Sequence, residues 1–186
     1  AGRGAIGPVE AFTAEEMNEV FRLNLYGIQN VNQLVLPYMR KQKRGRILMM
    51  SSLAAESGLP YQGVYCASKA ALDVLTEAIR MEVRSFGIEA CVIQPGDFKT
   101  EVSEHRKLAS IEESSPYHIH FERINKTATT NVEFAADPFL VAKKVEKVLR
   151  QKRLKAKYRV GSLVERIMPT AKTILPSRLF EKLLMK

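Results

Sequence analysis

The chain has 186 residues, 46% of them hydrophobic and 26% charged, which supports one sizeable core and excludes a disordered chain. Its only cysteines, Cys66 and Cys91, are too few for a disulfide framework or a zinc site, so no metal is implied and a reducing compartment is expected. The net charge of +9 is concentrated between Lys143 and Arg159, where nine basic residues face the single acid Glu146.

Such a stretch reads first as a solvated helix face and loop, although it could attract an anionic membrane surface. No nucleic-acid partner is expected. The apolar runs are short, with nothing near the ~18 residues that suggest a spanning helix, and no signal peptide is visible. A soluble, cytoplasmic protein is expected.

The opening Gly2-x-Gly4-x-x-Gly7 imitates a dinucleotide fingerprint. That motif needs a strand before it and a helix starting within it, whereas here Pro8 and Val9 continue a turn-rich loop. Thr13 and Glu16 fit a capping box and predict a helix through Val20, Leu25, Ile28 and Leu34 to about Arg40, with Pro37 kinking or stopping its end. After the polar turn at Lys41 to Gly45, the apolar run Arg46 to Met50 predicts a central parallel strand. Ser51 and Ser52 lie at its carboxyl end, where ligands collect in open α/β sheets.

A loop from Leu53 to Gly63 leads into a helix through Leu72, Ile79 and Val83 that stops at Gly87. Ile88 to Gln94 is the next strand and ends in the turn Pro95-Gly96. On the intervening helix Tyr65 and Lys69 are four apart, which puts them on one face. An ammonium beside a phenol stabilises the phenolate and draws it towards acid/base duty. Strand, helix, strand places Ser52, the Tyr65-Lys69 pair and Pro95-Gly96 at one sheet edge.

These residues resemble the short-chain dehydrogenases/reductases, most specifically from Ala1 to about Thr100. The family's serine precedes its Tyr-x-x-x-Lys by the thirteen positions that separate Ser52 from Tyr65. Its Asn-Ala-Gly loop resembles Ala1-Gly2, its helix asparagine Asn24-Leu25-Tyr26-Gly27, and its Pro-Gly-x-x-x-Thr the segment Pro95 to Thr100. The resemblance implies an α/β fold, the C-terminal half of a Rossmann-like doubly wound parallel sheet with about three strands and flanking helices. It also implies an oxidoreductase that uses NAD or NADP on a secondary alcohol or ketone.

By the same resemblance Tyr65 would give or take the proton, and Lys69 would lower its pKa and bind the nicotinamide ribose. Ser52 would hold the substrate oxygen and Asn24 would serve a proton relay. Ala1, Gly2, Pro95, Gly96, Phe98 and Thr100 would line the cofactor. The family's amino-terminal strand, Gly-rich turn and helix do not precede Ala1, so the chain is expected to be a C-terminal portion. NAD cannot be told from NADP without them.

Glu101 to about Asn131 reads as a polar, irregular lid, within a substrate region spanning 100–136, and His118-x-His120 as loop decoration. Asp137-Pro138 opens a helix to Leu149, and Tyr158 to Gly161 is a last strand, closing a partial catalytic domain over 1–161. The tail 162–186 predicts two short amphipathic helices broken by Pro169 and Pro176, which cap the core or border an apolar entrance and touch membrane. It resembles family branches acting on lipid alcohols. The reading is a lipophilic small-molecule substrate and, as usual in the family, a homo-oligomer. A lipid- or membrane-binding module without turnover is the alternative.

Overall fold

The computed structural model describes residues 2–100, 105–133 and 135–185. Its centre is a parallel sheet of three strands, β2 (Gly45–Met50), β3 (Ile88–Pro95) and β5 (Lys157–Val160), in the order β2-β3-β5. Gly45 pairs with Ile88 through Met50 with Ile93, and Val92 with Lys157 through Pro95 with Val160. This is the α/β fold with three parallel strands that the sequence implied.

Alternation along β3 builds the layers. Ala90 and Val92 face one way, into a cluster with Ile47, Met49, Leu72 and Ile79, against which Ile28 and Leu36 pack. Cys91 and Ile93 face the other way, onto Val148, Leu154 and Tyr158. A strand covered on both faces favours apolar residues on both, which is why Ala90 to Ile93 of β3 show no polar alternation. Each such aliphatic side chain contributes about 1.5–3 kcal/mol when fully buried. The covering helices are α2 (Gly27–Gln42) and α3 (Gly63–Glu82) on the first face and α5 (Phe139–Leu149) on the second.

The Thr13-Glu16 capping box forms, and α1 (Ala14–Phe21) follows it. The predicted continuous helix is interrupted by a π-turn, Arg22–Tyr26, where the Gly27 N–H reaches the Arg22 carbonyl. Pro37 neither stops nor ends α2, which runs to Gln42. Pro37 and Gln33, four residues earlier, are both exposed, so the carbonyl that loses its donor can be met by water. Gly87 adopts φ 71°, and a Cβ there would lie 2.4 Å from the Lys43 carbonyl oxygen, so the turn into β3 needs glycine.

The opening loop contains a short strand, β1 (Ala5–Ile6), that pairs in parallel with β4 (Lys107–Leu108). The region expected to be irregular holds β4 and a 16-residue helix, α4 (His118–Glu133). Phe121, Ile124, Ala128 and Val132 are its less exposed residues and recur at helical spacing. His118 and His120 fall in its first turn. The tail forms α6 (Leu163–Ile174) and α7 (Ser177–Leu184). Pro169 does not break the tail, since it is buried inside α6 and the chain turns only at Leu175-Pro176. Among the described residues no helix is long and apolar enough to cross a membrane.

Candidate active site

Because all three strands run parallel, Ser51-Ser52, Pro95-Gly96 and Val160-Gly161 emerge at one edge of the sheet. Ser52 is extended and its hydroxyl does two things. It accepts the Ala54 N–H at 3.2 Å, capping a short 3-10 turn, and donates to the Pro95 carbonyl at 3.4 Å across to β3. The oxygen is thereby held at the carboxyl ends of two neighbouring strands.

Tyr65 stands in the first turn of α3 and Lys69 in the next. The Tyr65 phenol lies in this low-dielectric pocket. Burial pushes its pKa up, the Ser52 hydroxyl pulls it down, Cys66 and Asp97 add to the rise, and Arg106 opposes it. Lys69 is only 3% exposed; its ammonium donates to the Met50 carbonyl at 3.1 Å and sits 6.0 Å from the Tyr65 ring centre. The Ser52 hydroxyl and the Arg106 guanidinium both pull the phenol's pKa down.

Burial drives the Lys69 pKa from 10.5 to about 8, against the raising influence of the Asp73 carboxylate. The folded value lies below the unfolded one, so between about pH 8 and pH 10.5 the unfolded chain binds the extra proton. Stability contributed by this group therefore rises with pH across that window. Urea unfolding of the wild-type protein is expected to show that rise, and Lys69→Met to show a flatter profile there.

Asn24 is fully buried in the π-turn. Its carboxamide accepts the Arg3 N–H at 2.7 Å and donates to the Arg3 carbonyl and to Ser68 Oγ, each at 2.9 Å. Ser68 in turn donates to the Tyr65 carbonyl. Asn24 thus ties the amino-terminal loop to the helix that carries Tyr65 and Lys69. The loop passes so close that a Cβ on Gly2 would lie 3.3 Å from Lys69 Nζ and 3.4 Å from Asn24 Oδ1.

A cleft of about 1060 Å³ opens over these groups. Gly2, Ser52, Tyr65, Lys69, Pro95, Gly96, Phe98 and Thr100 all line it. Asn24 lies behind the wall, and Ala1 lies outside the described residues. The far wall is apolar, built by Val141 and Val145 of α5, Ile124 of α4, and Met168, Phe180 and Leu184 of the tail.

Three residues of the site carried no signal of their own in the sequence. Arg106 stacks its stem over Gly4, donates to the Ala128 carbonyl, and keeps Nη1 buried without a partner among the described residues. Asp97 sits at the cleft rim, where its surroundings and then Glu165 push its pKa up against the pull of Arg106. Glu165 accepts the Asp97 N–H at 2.8 Å and the Ser162 N–H at 2.7 Å. A Cβ on Gly96 would lie 2.1 Å from that carboxylate, which explains a glycine after Pro95.

Behind the cleft, Asp73 accepts from Ser51 Oγ and from Gln94 Nε2 at 2.7 Å, and Lys157 stands 3.4 Å away. Gln94 also donates to Glu56, whose carboxylate burial would raise but Gln94, Lys157 and Arg159 hold below its ordinary pKa.

The arrangement suits a nicotinamide cofactor. A buried ammonium with one acceptor for its three N–H groups has donors left for sugar hydroxyls, and the glycine beside it leaves room.

The family described as short chain dehydrogenase matches residues 1–110. The chain is 34% identical to the 3-ketodihydrosphingosine reductase of Bacteroides thetaiotaomicron over 182 residues, 97% of this chain and 68% of that protein. It is 30% identical to 17-beta-hydroxysteroid dehydrogenase type 1 of Homo sapiens over 79% of this chain and 48% of that one. A solved short-chain dehydrogenase from Streptomyces avermitilis superposes with a TM-score of 0.79 at 25% identity, over 97% of this chain and 66% of that one. The chain spans from about half to about two thirds of the length of these relatives. With a family match across more than half of its residues and a shared fold across nearly all of them, the chain belongs to the short-chain dehydrogenases.

Proposed function

We propose that this chain carries the catalytic site of an NAD- or NADP-dependent oxidoreductase that interconverts a secondary alcohol and a ketone on a lipophilic substrate. The observation that carries the reading is the meeting of the Ser52 hydroxyl, the Tyr65 phenol and the buried Lys69 ammonium in a cleft whose far wall is apolar. Solved members of the family hold NADP or NAD. A bound nicotinamide supplies or accepts the hydride.

The residues of this chain manage the proton and the oxygen. Tyr65 Oη donates a proton to the substrate oxygen during reduction and takes it back during oxidation. Ser52 Oγ, positioned by the Ala54 N–H, turns its one proton from the Pro95 carbonyl to the same oxygen as negative charge develops there. Lys69 turns its spare N–H groups to the ribose and places a positive charge near the phenol once the pocket is filled. Gly2, Pro95, Gly96, Phe98 and Thr100 form the nicotinamide end. Asn24 positions the helix turn behind Lys69, and any relay to solvent runs past it.

The lipophilic substrate rests on the cleft wall and on the substrates named for two relatives, a ketodihydrosphingosine and a hydroxysteroid. Helix α4, in the expected substrate region, walls the cleft on one side through Ile124, Ala128 and Val132. Val31, Leu34 and Tyr38 of α2 and Val74 and Met81 of α3 are exposed, and a second copy of the chain is the partner that would cover them. Both cysteines are buried and free, as in a cytoplasmic protein.

The test is oxidation of NADH and of NADPH by the purified full-length protein, with the amino-terminal cofactor-binding half in place, given a long-chain 3-oxo ester, a ketosteroid and a short polar ketone. Turnover of the apolar ketones at KM values at least about tenfold lower than the short one is expected, since each buried CH₂ contributes about 0.8 kcal/mol. Absence of turnover with every ketone and both cofactors would defeat the reading.

A further inference from the structure

Helices α6 and α7 each carry a broad apolar stripe, of which only one flank faces the cleft. Met168, Phe180 and Leu184 line the cleft, while Leu163, Ile167 and Ile174, spaced four and seven apart on α6, are 69%, 51% and 74% exposed. Leu179 and Leu183 continue the outward face on α7. A surface helix of a globular protein buries its apolar stripe, and here the cleft covers one flank and leaves the other exposed.

Beside this outer face lies a second hollow, of about 860 Å³, between α5, the end of β5 and the start of α6. Lys143, Lys144, Lys147, Arg159 and Arg166 all line it. The acids in it are Asp97 and Glu165, and Glu165 is engaged by two backbone N–H groups. Lys143, Lys147 and Arg166 have no carboxylate within salt-bridge distance among the described residues. Phe139 and Leu140, at the start of α5, are 59% and 49% exposed, so apolar and cationic groups share the face.

We propose that the α5–α6–α7 face docks on an anionic lipid bilayer, with the cations of the hollow meeting lipid phosphates and Leu163, Ile167, Ile174 and Phe139 entering the headgroup boundary. Charge selects this occupant. A second copy related by a two-fold axis would set one net-basic hollow, five cations with two acids, against another, which disfavours self-association through this face. An anionic bilayer satisfies the charges and the exposed apolar stripe together. The inference deepens the lipophilic-substrate reading, since the inner sides of α6 and α7 wall the cleft and a substrate could pass from membrane to site between them.

The experiment is co-sedimentation of the purified protein with vesicles of phosphatidylcholine alone and of phosphatidylcholine mixed with phosphatidylglycerol. Each Lys or Arg near such a surface contributes about 1 kcal/mol. The wild-type protein is therefore expected to bind the mixed vesicles at least about tenfold more tightly, and added salt to weaken that binding. Lys143→Glu with Lys147→Glu, and separately Leu163→Asp with Ile167→Asp, are each expected to weaken it by about tenfold or more. All four side chains are exposed, so thermal unfolding should be unchanged in both variants.

Equal binding to both vesicle types, no effect of either double variant, or self-association that Leu163→Asp with Ile167→Asp abolishes without any vesicle binding would overturn the proposal. Vesicle binding is read without cofactor or turnover. Failure of the redox assay and failure of docking are therefore separate results.

Discussion

Tyr65→Phe is expected to lower kcat/KM for ketone reduction by about 10²–10⁴-fold, the usual contribution of a positioned general acid. Phenylalanine keeps the ring in the pocket and removes only the hydroxyl. What is lost is the proton donor and the contact with Ser52, so stability should change by no more than about 1 kcal/mol. Cofactor affinity, measured by equilibrium titration, should hold because Lys69 and the Pro95 to Thr100 segment are untouched.

The pH dependence follows from the same group. Burial raises the phenol above its ordinary pKa, so at neutral pH it carries its proton and is ready to reduce. Alcohol oxidation needs the phenolate, and its rate should climb with pH while reduction falls away on the alkaline side. A protein that only held lipid would bind its ligand equally well in the Tyr65→Phe variant and show neither trend. Retention of full turnover by that variant would remove Tyr65 from the mechanism.

Asp73→Ala is expected to cost about 2–4 kcal/mol in stability, because two buried donors, Ser51 and Gln94, lose their acceptor. The Asp73 carboxylate, 7% exposed, accepts from the hydroxyl of Ser51 at the end of β2 and the amide of Gln94 on β3, and faces Lys157 on β5. Removing it strands the Ser51 hydroxyl and one N–H of Gln94, while the half-exposed Lys157 keeps Glu56, and each buried donor left without a partner costs about 1–3 kcal/mol. It also removes the one charge that raises the Lys69 pKa, so Lys69 should titrate lower still. Asp73→Asn keeps the volume and part of the hydrogen bonding and should lose less. Urea unfolding reads the first effect; a loss below about 1 kcal/mol for Asp73→Ala would show that the network is not coupled as the geometry indicates.

These two residues mark different kinds of legibility. Tyr65 and Lys69 are four apart on one helix, and Thr13 and Glu16 three apart at another's start, so both pairs can be read from spacing. Asp73 meets Ser51, Gln94 and Lys157 from 22, 21 and 84 positions away. No pattern along the chain announces a contact at that separation. Arg106 became part of the site only because β4 pairs with β1 and lays it over Gly4.

The misread elements share a cause. Pro37 and Pro169 break helices by local rule, yet α2 tolerates the first on an exposed face and α6 buries the second. α4 looked irregular because its apolar residues are few, and they count only against the cleft they cover. The π-turn at Asn24 exists because Arg3 offers its N–H and carbonyl to the carboxamide, a partner supplied by a distant loop.

The sequence by itself determined the three strands of the central sheet, which chemical groups stand at their ends, and the family those groups belong to, because period, caps and short spacings act within a few residues. Only the tertiary structure decided how deeply Lys69 is buried, which groups face the Tyr65 phenol, and which side of each tail helix meets the cleft, because burial and charge at one point are sums over neighbours that the chain brings together only by folding.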